Sequence, residues 1–328
     1  MNTMRSVRLH GIGALSIDEI PIPTPGPGEL LMRIKANGVC ATDARKYHVG
    51  VSDGDYPFNS GHEWVGEVID AGEKVNGWLG GSLAYGDTYG GYAEFATIAV
   101  DPTPWSAGPI RIPRSMPLER SVFIEPLADC LHAVIDQARV APEERVVVIG
   151  AGSMGLQTVA AAKRLGARIA VVERLENRAE LAHSFGAEFA AAGEDPWRDV
   201  RDWTDGSGAD VVLLMVGSPR LVEQAISLCR NGGRVVLFAG FGDSGRTEVD
   251  LNEIHYREIA LIGSEWIGAP PNQRRDRYED ALAWLEEGNL TLETLVTDQI
   301  GFEGVESCFR GWDSPKGVKT VFYPDIAS

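Results

Sequence analysis

Two short segments in the first third of the chain bring metal-ligating residue types together: Gly38-Val39-Cys40-Ala41-Thr42-Asp43 and Ser60-Gly61-His62-Glu63. A thiolate, an imidazole and a carboxylate suit a zinc ion, and a catalytic zinc keeps one position open for water or substrate. Taken singly, each residue has a plainer reading: a buried free cysteine, a satisfied structural histidine, a surface acid. The rest of the chain has to decide between these readings.

The deciding motif is Gly150-Ala151-Gly152-Ser153-Met154-Gly155. It follows the apolar run Arg145 to Ile149, opens a helical pattern, and is answered by Glu173, 18 residues beyond Gly155 at the end of the next apolar run. That context is the dinucleotide-binding fingerprint. Gly150 permits the tight turn, Gly152 lets the backbone approach a pyrophosphate, and Gly155 allows close helix–sheet packing. Ser153 and Met154 stand at the helix N-terminus, whose free N–H groups and positive dipole end face the phosphates. Glu173 can accept hydrogen bonds from adenosine ribose hydroxyls and would repel a 2′-phosphate, which favours NAD over NADP. Arg174 and Arg178 pull the other way, since a nearby guanidinium accommodates phosphate.

These residues need two kinds of scaffold. The first third is rich in Gly and Pro, with short β-prone runs such as Leu30 to Ile34 and Val65 to Ile69, which predicts a β-rich unit. From about residue 120 the pattern becomes strand–helix alternation. A helix is expected over EPLADCLHAVIDQARV, with Glu125 just before it and Pro126 in its first turn. Strands are expected at Arg145 to Ile149, Arg168 to Val172, Ala209 to Val216, Arg234 to Phe238 and Ile259 to Ile262, with helices at Leu156 to Leu165 and Pro219 to Cys229 between them. Near-continuous apolar strands between helices mark a parallel sheet covered on both faces. A helix around Tyr278 to Glu287 and a strand around Val318 to Tyr323 return to the first unit.

The totals narrow the function classes. A formal net charge of −17 argues against a nucleic-acid partner. The N-terminus shows no secretory pattern, and no apolar run reaches the roughly 20 residues that span a bilayer. Cys40, Cys130, Cys229 and Cys308 are scattered without CxxC spacing, which fits a reducing, cytoplasmic setting.

GVCATD, GHEWVGEV, FIEPLADCLHA and VIGAGSMG, taken in order, resemble the successive signatures of the medium-chain zinc-dependent alcohol dehydrogenase family. The order and spacing are most similar to its sorbitol, threonine and glucose dehydrogenase (polyol) branch, and the resemblance covers almost the whole chain. It implies an α/β architecture: a GroES-like β-rich catalytic domain at 1–126 and 268–328, and a Rossmann doubly wound parallel sheet at 127–267 that binds NAD. It makes Cys40 and His62 direct zinc ligands. Glu63 becomes a ligand of the resting metal, or an adjacent carboxylate able to swap with water, and Glu125 a third or water-mediated ligand. Asp43 would orient the His62 ring, and Thr42 would take the alcohol proton and pass it to the cofactor ribose. Cys130 is expected only to pack.

The chain departs from the family in two places. Many members carry a histidine five residues after the ligand cysteine; here Arg45 stands there, and arginine cannot serve as a base. Either His48 substitutes in the relay, or protons leave through ribose and water, with Arg45 on a cofactor phosphate. The four-cysteine lobe that holds a second, structural zinc is missing: Val75 to Ser82 runs almost directly into Tyr85 to Glu94. One zinc per subunit is therefore expected. The expected substrate is a polyol, sugar or (amino)cyclitol oxidised at a secondary alcohol. The expected assembly is a homodimer through an edge strand near Ala260-Leu261-Ile262, with a tetramer as the alternative. Two rivals are a zinc-free quinone or enone reductase and a non-catalytic dinucleotide-binding sensor.

Overall fold

The computed structural model describes residues 2–51, 55–241, 245–266, 269–312 and 317–326. The chain divides into two compact units, Met1–Pro126 with Ala269–Ser328, and Leu127–Gly268. The return crossing expected at residues 267–268 lies outside the described residues.

The first unit is built on strands. Thr3–Gly11 and Ala14–Pro21 form an antiparallel hairpin, which the sequence reading did not anticipate; Gly13 supplies the positive φ (+65°) its turn needs. A larger, seven-stranded sheet runs in the order Val296–Ile300, Lys319–Phe322, Glu29–Gly38, Glu63–Ala71, Leu83–Gly86, Ile110–Arg111, with Phe95–Ala99 also paired to Glu29–Gly38. Leu30, Met32 and Ile34 alternate onto one buried face of the central strand and pack with Trp64, Val68, Ala84 and Ile98. The register matters for chemistry. Gly38 stands opposite Glu63 on one side and Val321 on the other, so the segments carrying Cys40, Glu63 and Lys319 meet at one end of the sheet.

The second unit holds a six-stranded sheet in which every ladder is parallel. Its order is Phe189–Ala191, Arg168–Val172, Arg145–Ile149, Ala209–Leu214, Cys229–Leu237, Ala260–Gly263, which is 3-2-1-4-5-6 by appearance in the chain. That order is the doubly wound dinucleotide-binding arrangement, with the ligand crevice at the carboxyl ends of the strands where the order reverses. The switch falls at Arg145–Ile149, the strand leading into the glycine motif. Val147, Ile149, Ala170, Val172, Val212, Leu214 and Val235 fill its core, each buried aliphatic side chain contributing about 1.5–3 kcal/mol.

Two elements differ from expectation. The helix begins at Ile124, so Glu125 lies within its first turn rather than before it. It then widens into a π-helical stretch over His132–Gln137, where the Ala138 N–H donates to the Ala133 carbonyl at 2.8 Å. Among the described residues, no helix is long and apolar enough to cross a membrane.

Candidate active site

Cys40 follows the central strand and caps the helix Ala41–Val49 in an extended conformation (φ −107°, ψ 148°). Its carbonyl accepts from the N–H groups of Asp43 and Ala44 at 3.1 and 3.3 Å, starting the first helical turn. That turn sends neighbouring residues opposite ways: Thr42 is exposed and Asp43 is fully buried. Gly61 brings His62 in from the other side. Its φ is +89°, and an added Cβ would lie 2.8 Å from the Tyr92 ring.

Ligand atoms of Cys40, His62 and Glu63 fall within 4.8 Å of one another. Donors around a tetrahedral zinc stand about 3.3–3.8 Å apart given zinc–ligand bonds of about 2.0–2.3 Å, so a small inward movement lets them share one ion. Asp43 lies beside the imidazole, itself held by two donors. Its Oδ1 accepts from the Gly61 N–H at 3.0 Å and its Oδ2 from the Tyr92 hydroxyl at 3.2 Å. His62 Nδ1 faces Asp43 Oδ1 at 3.4 Å, too poorly aligned for a full hydrogen bond, which leaves Nε2 for a metal. Burial works against a charged His62, but Asp43 and Cys40 outweigh it and hold its pKa well above the ordinary value. Burial likewise opposes the charge on Asp43, yet His62 and the Gly61 N–H keep that carboxyl below its ordinary range.

The sequence reading missed Lys319. Its ammonium forms an ion pair with Glu63 Oε2, and the two side chains are only 4% and 2% exposed. Gly38 makes room for this pair, because a Cβ there would overlap the Glu63 carboxylate. Burial alone would depress the Lys319 pKa; Glu63, Cys40 and Glu125 raise it instead. The available signal was alternation. Lys319 shares the inward face of its strand with Val321, a position where a charge needs a partner. Glu63 is therefore already half committed, whereas among the described residues Glu125 forms no ion pair within 4.0 Å. Burial pushes the Glu125 carboxyl up to about 7, with His62 opposing and Glu63 adding to the shift. Three acidic donors and a single buried lysine form a donor set that a divalent cation would balance.

His48 Nε2 donates to the Phe309 carbonyl at 2.8 Å, which ties the ring to the helix Gly304–Arg310. It also stands six residues from Thr42, about 240° round the helix at 100° per residue. The bond occupies one ring nitrogen of His48, which is otherwise exposed.

In the second unit the glycines divide the labour as the motif requires. Gly150 takes φ +101°. A Cβ on Gly155 would run into the Gly150 carbonyl oxygen, so the helix Ser153–Arg164 sits tight on the turn. Gly152 is different: the nearest heavy atom to an added Cβ is Arg178 Nη1 at 4.0 Å, so its face is open. Glu173 is anchored at both oxygens, accepting from the Ala151 N–H at 2.8 Å and the Leu175 N–H at 3.0 Å. Arg174 is exposed beside it. The Cys130 thiol donates to the Met154 carbonyl at 3.3 Å, a packing role.

Comparison with known proteins agrees with both halves. Residues 26–101 match the alcohol dehydrogenase GroES-like domain and residues 153–287 the zinc-binding dehydrogenase domain. An L-threonine 3-dehydrogenase of Caldanaerobacter subterraneus subsp. tengcongensis is 31% identical over 74% of this chain and 77% of its own. The chain belongs to the medium-chain zinc-dependent alcohol dehydrogenases. Within this family a sorbitol dehydrogenase of Halalkalibacterium halodurans is 27% identical, covering 96% of this chain and 97% of that one. The solved structure of 2R,3R-butanediol dehydrogenase from Bacillus subtilis shares the fold, with a TM-score of 0.85 at 23% identity over 98% of this chain and 100% of that one. In this medium-chain dehydrogenase, residues 87–94 alone separate the strand Leu83–Gly86 from Phe95–Ala99, and none of them is cysteine.

Proposed function

We propose that this medium-chain dehydrogenase oxidises a secondary alcohol of a polyol, sugar or cyclitol with NAD, using one zinc held by Cys40 and His62 with Glu63 and Glu125 as acidic neighbours. The observation that carries the reading is the approach of thiol, imidazole and carboxylate within 4.8 Å in a chain whose second unit presents an open glycine turn. A bound zinc ion supplies Lewis acidity that lowers the pKa of an alcohol beside it. NAD supplies the hydride acceptor. The residues do the rest. Asp43 holds His62 with Nε2 inward, and Lys319 neutralises Glu63 so that the site is not over-charged. Thr42, exposed two residues after Cys40, would accept the alcohol proton at its hydroxyl and release its own. With one ring nitrogen of His48 bonded to the Phe309 carbonyl, Thr42 would release the proton towards water.

Glu173 favours NAD, because its aimed carboxylate repels a 2′-phosphate. Arg178, beside Gly152, lies on the pyrophosphate side of the turn and is assigned to that group. The four thiols are free, in keeping with a cytoplasmic enzyme. Self-association through the exposed edge strand Ala260–Gly263, where Leu261 is 42% exposed, is the expected route to a homodimer. Metal analysis with a polyol and cyclitol panel read by NADH absorbance tests the proposal. One zinc per chain, turnover abolished by a chelator and restored by zinc, is expected; two tightly held zincs, or turnover indifferent to the chelator, would overturn it.

A further inference from the structure

A lysine beside the proposed metal site has no carboxylate within 4.0 Å of its ammonium among the described residues, although it lies near enough to the buried Asp43 to help lower that carboxyl's pKa. Lys46 lies on the helix Ala41–Val49, one turn beyond Thr42. Its ammonium donates to the Tyr89 hydroxyl at 2.8 Å and sits 4.5 Å from the centroid of the Tyr89 ring and 5.7 Å from that of Phe58. The Tyr89 ring in turn stands edge-on to His62, with centroids 5.6 Å apart. The ammonium is therefore one aromatic ring away from a metal ligand.

Three other lysines behave differently. Lys35, Lys163 and Lys319 each pair with a glutamate, whereas Lys46 has no carboxylate within 4.0 Å among the described residues. This holds in a chain with 47 acidic residues against 30 basic ones. The two aromatic faces hold the ammonium in place by cation–π attraction. Tyr89 uses one of its three donors, leaving two. Cys40, Glu63 and Glu125 make the neighbourhood acidic, and Lys319 is buried and committed to Glu63. An anionic substrate approaching this site meets the Lys46 ammonium, which has two donors to offer it.

We propose that Lys46 is a specificity-determining residue that receives a carboxylate or phosphate on the alcohol substrate, a few bonds from the carbinol. The inference rests on the reading that the alcohol binds beside Cys40 and His62. The interposed Tyr89 ring keeps the ammonium off the reacting hydroxyl, so the charge it recognises belongs to a substituent.

Two substrate pairs differing in the anion test this: L-threonine against threoninol, and sorbitol 6-phosphate against sorbitol, with zinc-loaded enzyme and NAD. The anionic member of at least one pair is expected to have the higher kcat/KM by about ten- to a hundredfold, the range of a charge-assisted hydrogen bond. The threonine pair reports carboxylate, the sorbitol pair phosphate. Lys46→Met should collapse the ratio towards one and Lys46→Arg should restore most of it, with thermal melting confirming that both variants fold. Calorimetric titration of the NADH-bound enzyme with the preferred anion should show the same weakening in Lys46→Met. Equal kcat/KM within both pairs, or a preference that survives Lys46→Met, overturns the proposal and leaves the metal reading standing. Absence of turnover of any alcohol by the zinc-loaded protein overturns both.

Discussion

The Lys319–Glu63 pair gives the sharpest test of the metal site, because it separates a structural charge pair from one that competes with a metal. Lys319→Met keeps most of the side-chain volume but leaves the Glu63 carboxylate buried with no counter-charge. Both side chains are almost completely enclosed, at 4% and 2% exposure, so solvent cannot replace the lost partner. Removing one member of a buried ion pair costs about 3–5 kcal/mol. For a unit of this size, each kcal/mol moves the melting temperature by about 2–4 °C, so the chelated variant should melt about 6–20 °C lower. Zinc changes that outcome. Glu63 lies in the same cluster as Cys40 and His62, and its released oxygen can turn to the ion, so at saturating zinc the deficit should shrink by at least half. Glu63→Gln in the Lys319→Met background removes the stranded charge and should recover much of the loss even in chelator. Differential scanning calorimetry of the three proteins, with and without zinc, measures each term. An identical deficit in zinc and in chelator would remove Glu63 from the metal's surroundings, and no deficit in chelator would refute the energetic reasoning.

Two further outcomes follow from the structure. Gly155→Ala places a methyl against the Gly150 carbonyl and lifts the helix off its turn; overpacking costs about 1–3 kcal/mol, so NADH affinity in a fluorescence titration should fall about ten- to a hundredfold while zinc content stays the same. Unaltered NADH binding would mean that the turn does not hold the cofactor. Glu293 accepts a two-point hydrogen bond from Arg120, which holds its carboxyl below the ordinary 4.5. A depressed folded pKa gives stability that is complete above the unfolded value and is lost as pH falls through the folded one. Glu293→Gln should therefore cost about 1 kcal/mol at pH 7 and progressively less below pH 4.5, read by urea melts; a gap that widens in acid contradicts this account.

The parallel sheet was legible because burial on both faces leaves near-continuous apolar runs; Arg145–Ile149 and Arg168–Val172 stand where the pattern puts them. Phe189–Ala191 escaped notice because three residues at a sheet edge carry no periodicity. The hairpin Thr3–Gly11 with Ala14–Pro21 was obscured by exposed polar positions along its second strand. At the site, Cys40, Asp43, His62 and Glu63 were readable as local motifs. Lys319 was not, because its partner lies 256 positions away and only strand register joins them. His48 shows a similar limit: its residue type suggested a relay, but its bond to a backbone carbonyl from a distant helix could not be read from the sequence.

The double anchoring of Glu173 has a consequence for how the nucleotide is gripped. A carboxylate already held by two backbone donors cannot swing freely, so in the proposed role it would meet an arriving ribose as a rigid template, with little rotational freedom left to lose on docking. The same bonds tie the glycine turn to the tip of the neighbouring strand. Substitution of that one side chain should therefore loosen the cradle as a whole and blunt discrimination among nucleotides together with affinity.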